Sequence, residues 1–286
     1  MSPLYCSTTG AGVNSAFSLA RQLQVAGAEA IELSGGKFSP NQRNDIIQLE
    51  REVKDLVIHN YFPVPKVSFV MNLSSMDKDV LDKSIKHAKN AIDIASELKS
   101  KVFGVHSGFL VDPDPSELGS LFKSTRIIKR DIGLNIFRNS VCLLSDYAES
   151  AGVKLLLENN VSNKINFDYH GKDIFLLSNP CEIIDFFKTV PSKVGLLLDV
   201  GHLKVTGSTL KFDVIKGLEE LVHLTAGYHF SENDGLNDDH LEFDIKTWPY
   251  KYFIRKDLEY YTLEFKNYQF SELRNQLNNF KDWLAN

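Results

Sequence analysis

Eight short runs of apolar and β-branched residues recur along the whole chain, and no other feature constrains its fold as strongly. They are LYCST (4–8), EAIELS (29–34), LVIHNYF (56–62) and KVFGVHS (101–107), then KLLLENN (154–160), VGLLLDVGH (194–202), AGYHFSE (226–232) and YYTLEF (260–265). Each is compact and apolar on both sides, the character of parallel strands covered on both faces. Helical patterns fill the gaps at 14–26, 77–99, 125–150, 179–190 and 270–285. Eight strands alternating with helices over about 250 residues predict an α/β fold, a single closed (β/α)8 TIM barrel. One such domain is expected to span 1–286. An open doubly wound sheet would show fewer strands and a glycine-rich first turn. TTGAGVN (8–14) carries Gly10 and Gly12 but no third glycine in phase.

The helix ends carry their own signals. Asn179 followed by Pro180 reads as an N-cap and first-turn proline. Ser271 reads as the N-cap of the last helix, and Gly152 as the C-terminal cap of the helix over 125–150.

Composition excludes several classes. The chain is 43% hydrophobic and 24% charged, ordinary globular values, and no apolar stretch approaches the length of a membrane span. The first residues, MSPLYCSTTGAG, do not read as a secretory leader. Cys6, Cys142 and Cys181 are far apart and odd in number, which argues against a disulfide framework or a cysteine zinc site. A reducing cytoplasm is the expected location. A net charge of −5 argues against a broad nucleic-acid footprint.

The chemistry collects at the strand ends. Active sites of such barrels lie at the carboxyl ends of the strands. There this chain places Glu32, His59, His106, Glu158, Asp199, His202, His229 and Glu264, with Asp238 and His240 in the segment after the seventh strand. Five of the eight histidines therefore fall at strand ends or just beyond. A single strand-end carboxylate ordinarily caps the following helix, and a single buried histidine is ordinarily a hydrogen-bonded core residue. Convergence of ten such residues on one mouth instead suggests a site for a divalent cation (Zn, Mn, Mg or Co), which would compensate the burial of Asp199.

LLLENN, LLLDVGHLKVTG, YHFSENDGLNDDH and TLEF resemble the xylose-isomerase-like TIM barrel superfamily, which contains sugar isomerases and epimerases and abasic-site nucleases of the endonuclease IV type. In the isomerases and epimerases the resemblance implies one metal held by Glu158, Asp199, His229 and Glu264, with His202 contacting substrate. Glu158 and Glu264 would act as the catalytic acid/base pair around a metal-stabilised enediolate of a small sugar. In the nucleases it implies up to three zinc ions held by His59, His106, Glu158, Asp199, His202, His229, Asp238, His240 and Glu264, cleaving a phosphodiester at abasic DNA. Glu32 at the end of the second strand favours the sugar-acting branch, and after His240 the stretch LEFDIKTWPY departs from both. A catalytically silent binding protein on the same fold is the third reading.

Two further stretches stand out. KSTRIIKR (123–130) reads as a solvated helix face, with phosphate or DNA-backbone contact as its alternative. TWPYKYF (247–253) could shape a sugar pocket or a homo-oligomer contact, or simply underlie a capping loop.

Overall fold

The structure, a computed structural model, describes residues 3–286. Eight parallel strands close into a barrel in sequence order, each paired with the next and β8 with β1. They are β1 (Leu4–Ser7), β2 (Ala30–Leu33), β3 (Asp55–His59), β4 (Val102–His106), β5 (Lys154–Glu158), β6 (Gly195–Asp199), β7 (Thr225–Phe230) and β8 (Tyr261–Leu263). Around them lie α1 (Ala16–Val25), α2 (Gln42–Glu52), α3 (Lys78–Glu97), α4 (Arg130–Ser150), α5 (Lys164–His170), α6 (Pro180–Phe187), α7 (Val200–Leu210), α8 (Val214–Leu221) and α9 (Phe270–Ala285). None of the helices among the described residues is long and apolar enough to cross a membrane.

The period-two alternation of the strands separates two cores. Tyr5, Ala30, Val57, Leu156, Leu197 and Tyr260 point inward and pack together inside the barrel. Their neighbours in sequence, among them Cys6, Ile31, Leu56, Ile58, Leu155, Leu157, Leu196, Leu198 and Tyr261, face the helices. Two residues beyond four of the inward set stand Glu32, His59, Glu158 and Asp199, so the next inward layer, at the carboxyl end, is polar. The helices cover the outer face through apolar stripes. On α4 Phe137, Val141, Leu144 and Ala148 are fully buried, and Phe137 stacks on Phe186 with ring centroids 5.1 Å apart. Burial of each large side chain of this kind contributes about 1.5–3 kcal/mol.

Local chemistry moves several predicted boundaries. The sixth strand stops at Asp199, because its Oδ1 accepts from the His202 amide at 2.7 Å and caps α7. Asn179 and Pro180 open α6 as expected, with the Asn179 side chain accepting from the Glu182 amide at 3.0 Å. Gly152 follows α4 at φ 74°, a conformation that glycine adopts without penalty. The last helix begins one residue before Ser271, with Gln269 at its N-cap and no side-chain cap, so Ser271 is not the cap. KSTRIIKR is not a helix face either. Residues 121–129 are irregular, the Ile128 amide donates to the Leu110 carbonyl, and Arg130 opens α4 in an ion pair with Glu182 and with Asp173 at 3.3 Å. The helix α2 is amphipathic only through Ile46 and Leu49, too few apolar positions to announce it in the sequence.

One histidine of the helical layer plays the ordinary core role. His87 on α3 packs 5.2 Å from the Tyr61 ring, and its Nε2 has no partner. Burial pushes its pKa down to about 4. The neutral form is therefore the one that fits the fold. Its stabilising contribution is complete above the unfolded-state pKa of about 6.5 and is lost as pH falls toward 4. A His87→Phe variant, which removes the titrating group and keeps an aromatic ring, is expected to remove about 3 kcal/mol of the stability lost by the parent between pH 6.5 and 4. Denaturant unfolding at both pH values reads this difference, and an unchanged pH slope would contradict it.

Candidate metal centre

All ten residues singled out at the strand ends meet at one mouth. Glu32, His59, His106, Glu158, Asp199, His229 and Glu264 come from β2 to β8 or the residue just beyond, and His202 from the first turn of α7. Asp238 and His240 come from the long segment between β7 and β8, which is closed on itself by paired backbone hydrogen bonds between Glu232 and Leu241 and tied to the chain just after β8 by the Lys266 amide donating to the His240 carbonyl at 3.0 Å. Glu32, Glu158, Asp199 and His229 are fully buried, and His106 is the most exposed of the five histidines, with 32% of its side chain accessible. The His59 ring needs Gly104 on the adjacent strand β4: a Cβ there would sit 2.6 Å from Cδ2 of His59.

The side chains fall into adjoining sets. Glu158, Asp199, His229 and Glu264 each offer a ligand atom within 4.8 Å of the others. Nδ1 of His229 lies 3.0 Å from Glu264 Oε2 and 3.1 Å from Glu158 Oε1. Oε2 of Glu158 is shared by His59 Nε2 at 2.7 Å and His106 Nδ1 at 3.2 Å. On the other flank Asp238 Oδ2 lies 3.3 Å from His202 Nε2 and 2.7 Å from His240 Nε2. Two rings are anchored through the nitrogen opposite the one that meets Asp238. His202 Nδ1 donates to the Asn159 carbonyl at 2.8 Å, and His240 Nδ1 to the Glu264 carbonyl at 3.2 Å. Because a carbonyl only accepts, the opposite nitrogen of each ring can present its lone pair to a cation.

The electrostatics show the same demand. Burial and the neighbouring charges push Asp199 up to about 7: His202 pulls the other way, but Glu158, Glu264 and Asp238 repel its ionised form. For Glu264 burial opposes ionisation, and the charges of His229 and His240 overcome it, holding the carboxyl far below its usual range. Glu158 is held low against burial by His106, His59 and His229. Burial drives His106 down to about 4, although Glu158 favours its charged form. His202 and His229 are raised despite burial, by Asp199 and Asp238 in one case and by Glu32, Glu264 and Glu158 in the other.

Asp199 Oδ2 and Asp238 Oδ1 are buried without a hydrogen-bond partner, and Glu158 Oε1 is buried with only His229 Nδ1, already paired with Glu264, 3.1 Å away. Buried oxygens of this kind, beside imidazoles anchored from behind, fit a divalent cation with oxygen and nitrogen ligands.

A profile for the xylose isomerase-like TIM barrel family matches residues 20–256, most of the chain. The chain belongs to the xylose isomerase-like TIM barrel family. An uncharacterized protein of Methanocaldococcus jannaschii is 27% identical over 213 residues, 72% of this chain and 61% of that protein, so the chain spans about three fifths of its relative's length. A D-tagatose 3-epimerase-like protein superposes over all of the chain and 97% of its own length, with TM-score 0.70 and 19% identity. A xylose isomerase-like TIM barrel protein of Mycobacterium smegmatis in complex with magnesium covers 100% of this chain and 97% of itself, with TM-score 0.69 and 14% identity. At these identities the two structures establish the shared barrel.

Other residues at this family mouth were given no role from sequence, Tyr260 and Thr262 among them. The Asn159 side chain clamps β5 to β6, accepting from the Asp199 amide at 2.8 Å and donating to its carbonyl at 3.0 Å. Tyr260 and Thr262 reach Glu32 from the eighth-strand region. Their signal was the period-two spacing of Tyr260, Thr262 and Glu264, which puts all three on the inward face. Trp248 of TWPYKYF is buried and stacks on Phe243 at 4.6 Å, beneath the segment that carries Asp238 and His240.

Asp199 thus holds two separable roles, a helix cap through Oδ1 and a candidate ligand through Oδ2. Asparagine caps as well as aspartate. Asp199→Asn is expected to melt within a few degrees of the parent, or above it, in chelator. Its divalent-metal affinity should fall by more than the roughly 10- to 100-fold typical of outer-shell partners. Thermal melts and metal titration separate the two roles, and parental affinity in the variant would exclude Asp199 as a ligand.

Proposed function

We propose that the chain is a divalent-metal-dependent isomerase or epimerase of a sugar or sugar derivative. The observation that carries the reading is the buried quartet Glu158, Asp199, His229 and Glu264, closed around one point with buried oxygens lacking partners. The D-tagatose 3-epimerase-like neighbour supports the substrate class. Zn, Mn, Mg or Co would suit the oxygen and nitrogen donors, and a bound cation would polarise the carbonyl and hydroxyl oxygens of the sugar. The glutamates do the proton work. Neighbouring histidines favour the ionised form of each carboxyl in the free protein. The glutamate that is ionised when the sugar binds takes the carbon-bound proton; the other, which must then carry a proton, gives it to the opposite face or the adjacent carbon and is left as the carboxylate. In this reading His202 and the more exposed His106 would contact the sugar's hydroxyl groups.

Metal-dependent phosphodiester cleavage at abasic DNA is the second reading, and one observation favours it. Glu158 Oε2 is shared by His59 and His106, while His202, Asp238 and His240 form a further ligand set, giving places for up to three cations.

Elemental analysis of protein purified without added metal, followed by substrate trials, tests both. Near one metal per chain, with aldose–ketose conversion or solvent-deuterium incorporation into a sugar, is the expected result. Glu158→Gln and Glu264→Gln should each then lower the rate by about 10²- to 10⁴-fold. Near three zinc ions per chain, with cleavage of an abasic duplex, would replace the first reading with the second. No metal uptake from offered Mn or Zn would overturn both and leave a binding protein on this fold.

A further inference from the structure

Beneath the ligand set lies a buried polar chain that the proposed reaction does not use. Glu32 on β2 is fully buried, and its Oε2 accepts from three donors. These are His229 Nε2 at 2.8 Å, Thr262 Oγ1 at 3.1 Å and the Tyr260 hydroxyl. Its other oxygen, Oε1, has no partner. Tyr260 is itself 1% exposed and belongs to the apolar cluster inside the barrel. The space for its ring depends on Gly227 of β7, where a Cβ would stand 2.4 Å from Tyr260 Cδ1. The backbone has thus been cut away on β7 to let a tyrosine hold a carboxylate on β2.

An ionised carboxylate so far from water is costly unless its donors compensate it. One of those donors is the ring N–H of His229, whose opposite nitrogen, Nδ1, faces Glu158 and Glu264. The two nitrogens lie on different edges of the imidazole. The Glu32 oxygen bound at Nε2 is therefore turned away from a cation bound at Nδ1 and does not ligate it, while Glu32 also offers an oxygen within 4.8 Å of ligand atoms of His59 and Glu264.

We infer that Glu32 is a positioning residue for His229. It keeps a proton on Nε2, so that Nδ1 can offer its lone pair to the cation, and Tyr260 and Thr262 hold Glu32 in the orientation this requires. The inference rests on the proposed metal-dependent function and assigns the residues that prepare its histidine ligand. Glu32→Gln keeps the size of the side chain but replaces the ionised acceptor with an amide that can donate to Nε2 and reverse the tautomer. Tyr260→Phe removes one support and leaves the Glu32–His229 bond in place.

The test combines zinc affinity, read by chelator competition, with ¹⁵N NMR of the histidine rings in metal-free and zinc-loaded protein. Glu32→Gln is expected to weaken zinc binding by about 10- to 100-fold, the usual cost of an outer-shell partner, with the circular dichroism spectrum unchanged. Tyr260→Phe is expected to cost less than about 10-fold. In the parent the His229 signal should show a proton on Nε2, shifted downfield by the carboxylate, and Glu32→Gln should move it. Parental zinc affinity in Glu32→Gln, or a His229 that carries its proton only on Nδ1 in the zinc-loaded parent, would overturn the inference. Should Glu32→Gln fail to fold, the His229 spectrum of the parent and of Tyr260→Phe decides. If the parent itself takes up no zinc, the proposed function fails separately. The shift of the His229 Nε2 resonance between the metal-free parent and Glu32→Gln then still decides whether Glu32 orients the ring, an unchanged resonance overturning the inference.

Discussion

Charge compensation without water is the constraint on which the mouth of this barrel depends. Five carboxylates and five histidines share one layer, most of them with no access to solvent. Each carboxylate is held by imidazole or backbone donors, yet buried oxygens on Glu158, Asp199 and Asp238 remain without partners. The rise of Asp199 while Glu158 and Glu264 are held low expresses the same imbalance: the imidazoles satisfy some carboxylates and leave one in surplus. A cation bound among them would remove the surplus, which is why the site's chemistry and its stability are one problem.

The barrel makes this crowding achievable because its lower half is made apolar and rigid. Tyr5, Ala30, Val57, Leu156, Leu197 and Tyr260 fill the interior below the polar layer, and the helices seal the outside. Strands so supported can hold their last inward side chains at fixed separations, the condition for a ligand set that does not have to be assembled on binding. The Asn159 clamp between β5 and β6 and the Asp199 cap on α7 use the same few residues to finish strands, start helices and aim ligands. Asp199 therefore caps α7 through Oδ1 and leaves Oδ2 as a candidate ligand atom.

Much of this was legible along the chain. Eight apolar runs implied the barrel, and the polar residue ending each run marked the mouth, because alternation fixes which side chains point inward. The signals failed where they were weak or shared. VGLLLDVGH read as one strand, yet Asp199 ends it by capping a helix that starts at Val200. The basic stretch 123–130 read as a solvated helix face, but the chain there follows the Leu110 carbonyl and Arg130 is drawn into the Glu182 and Asp173 carboxylates. The short helix α2 carries too few buried positions to leave a periodic trace.

What the sequence by itself determined is the order of the eight strands and the inward placement of Glu32, His59, His106, Glu158, Asp199, His229 and Glu264. Those follow from local periodicity, which any stretch of the chain carries within itself. Only the tertiary structure decided who pairs with whom: His59 and His106 with one oxygen of Glu158, Asp238 between His202 and His240, Glu32 behind His229 with Tyr260 in the space left by Gly227. These contacts join residues up to 228 positions apart. They depend on the stagger at which the barrel closes, and that stagger is a property of all eight strands together, written in none of them alone.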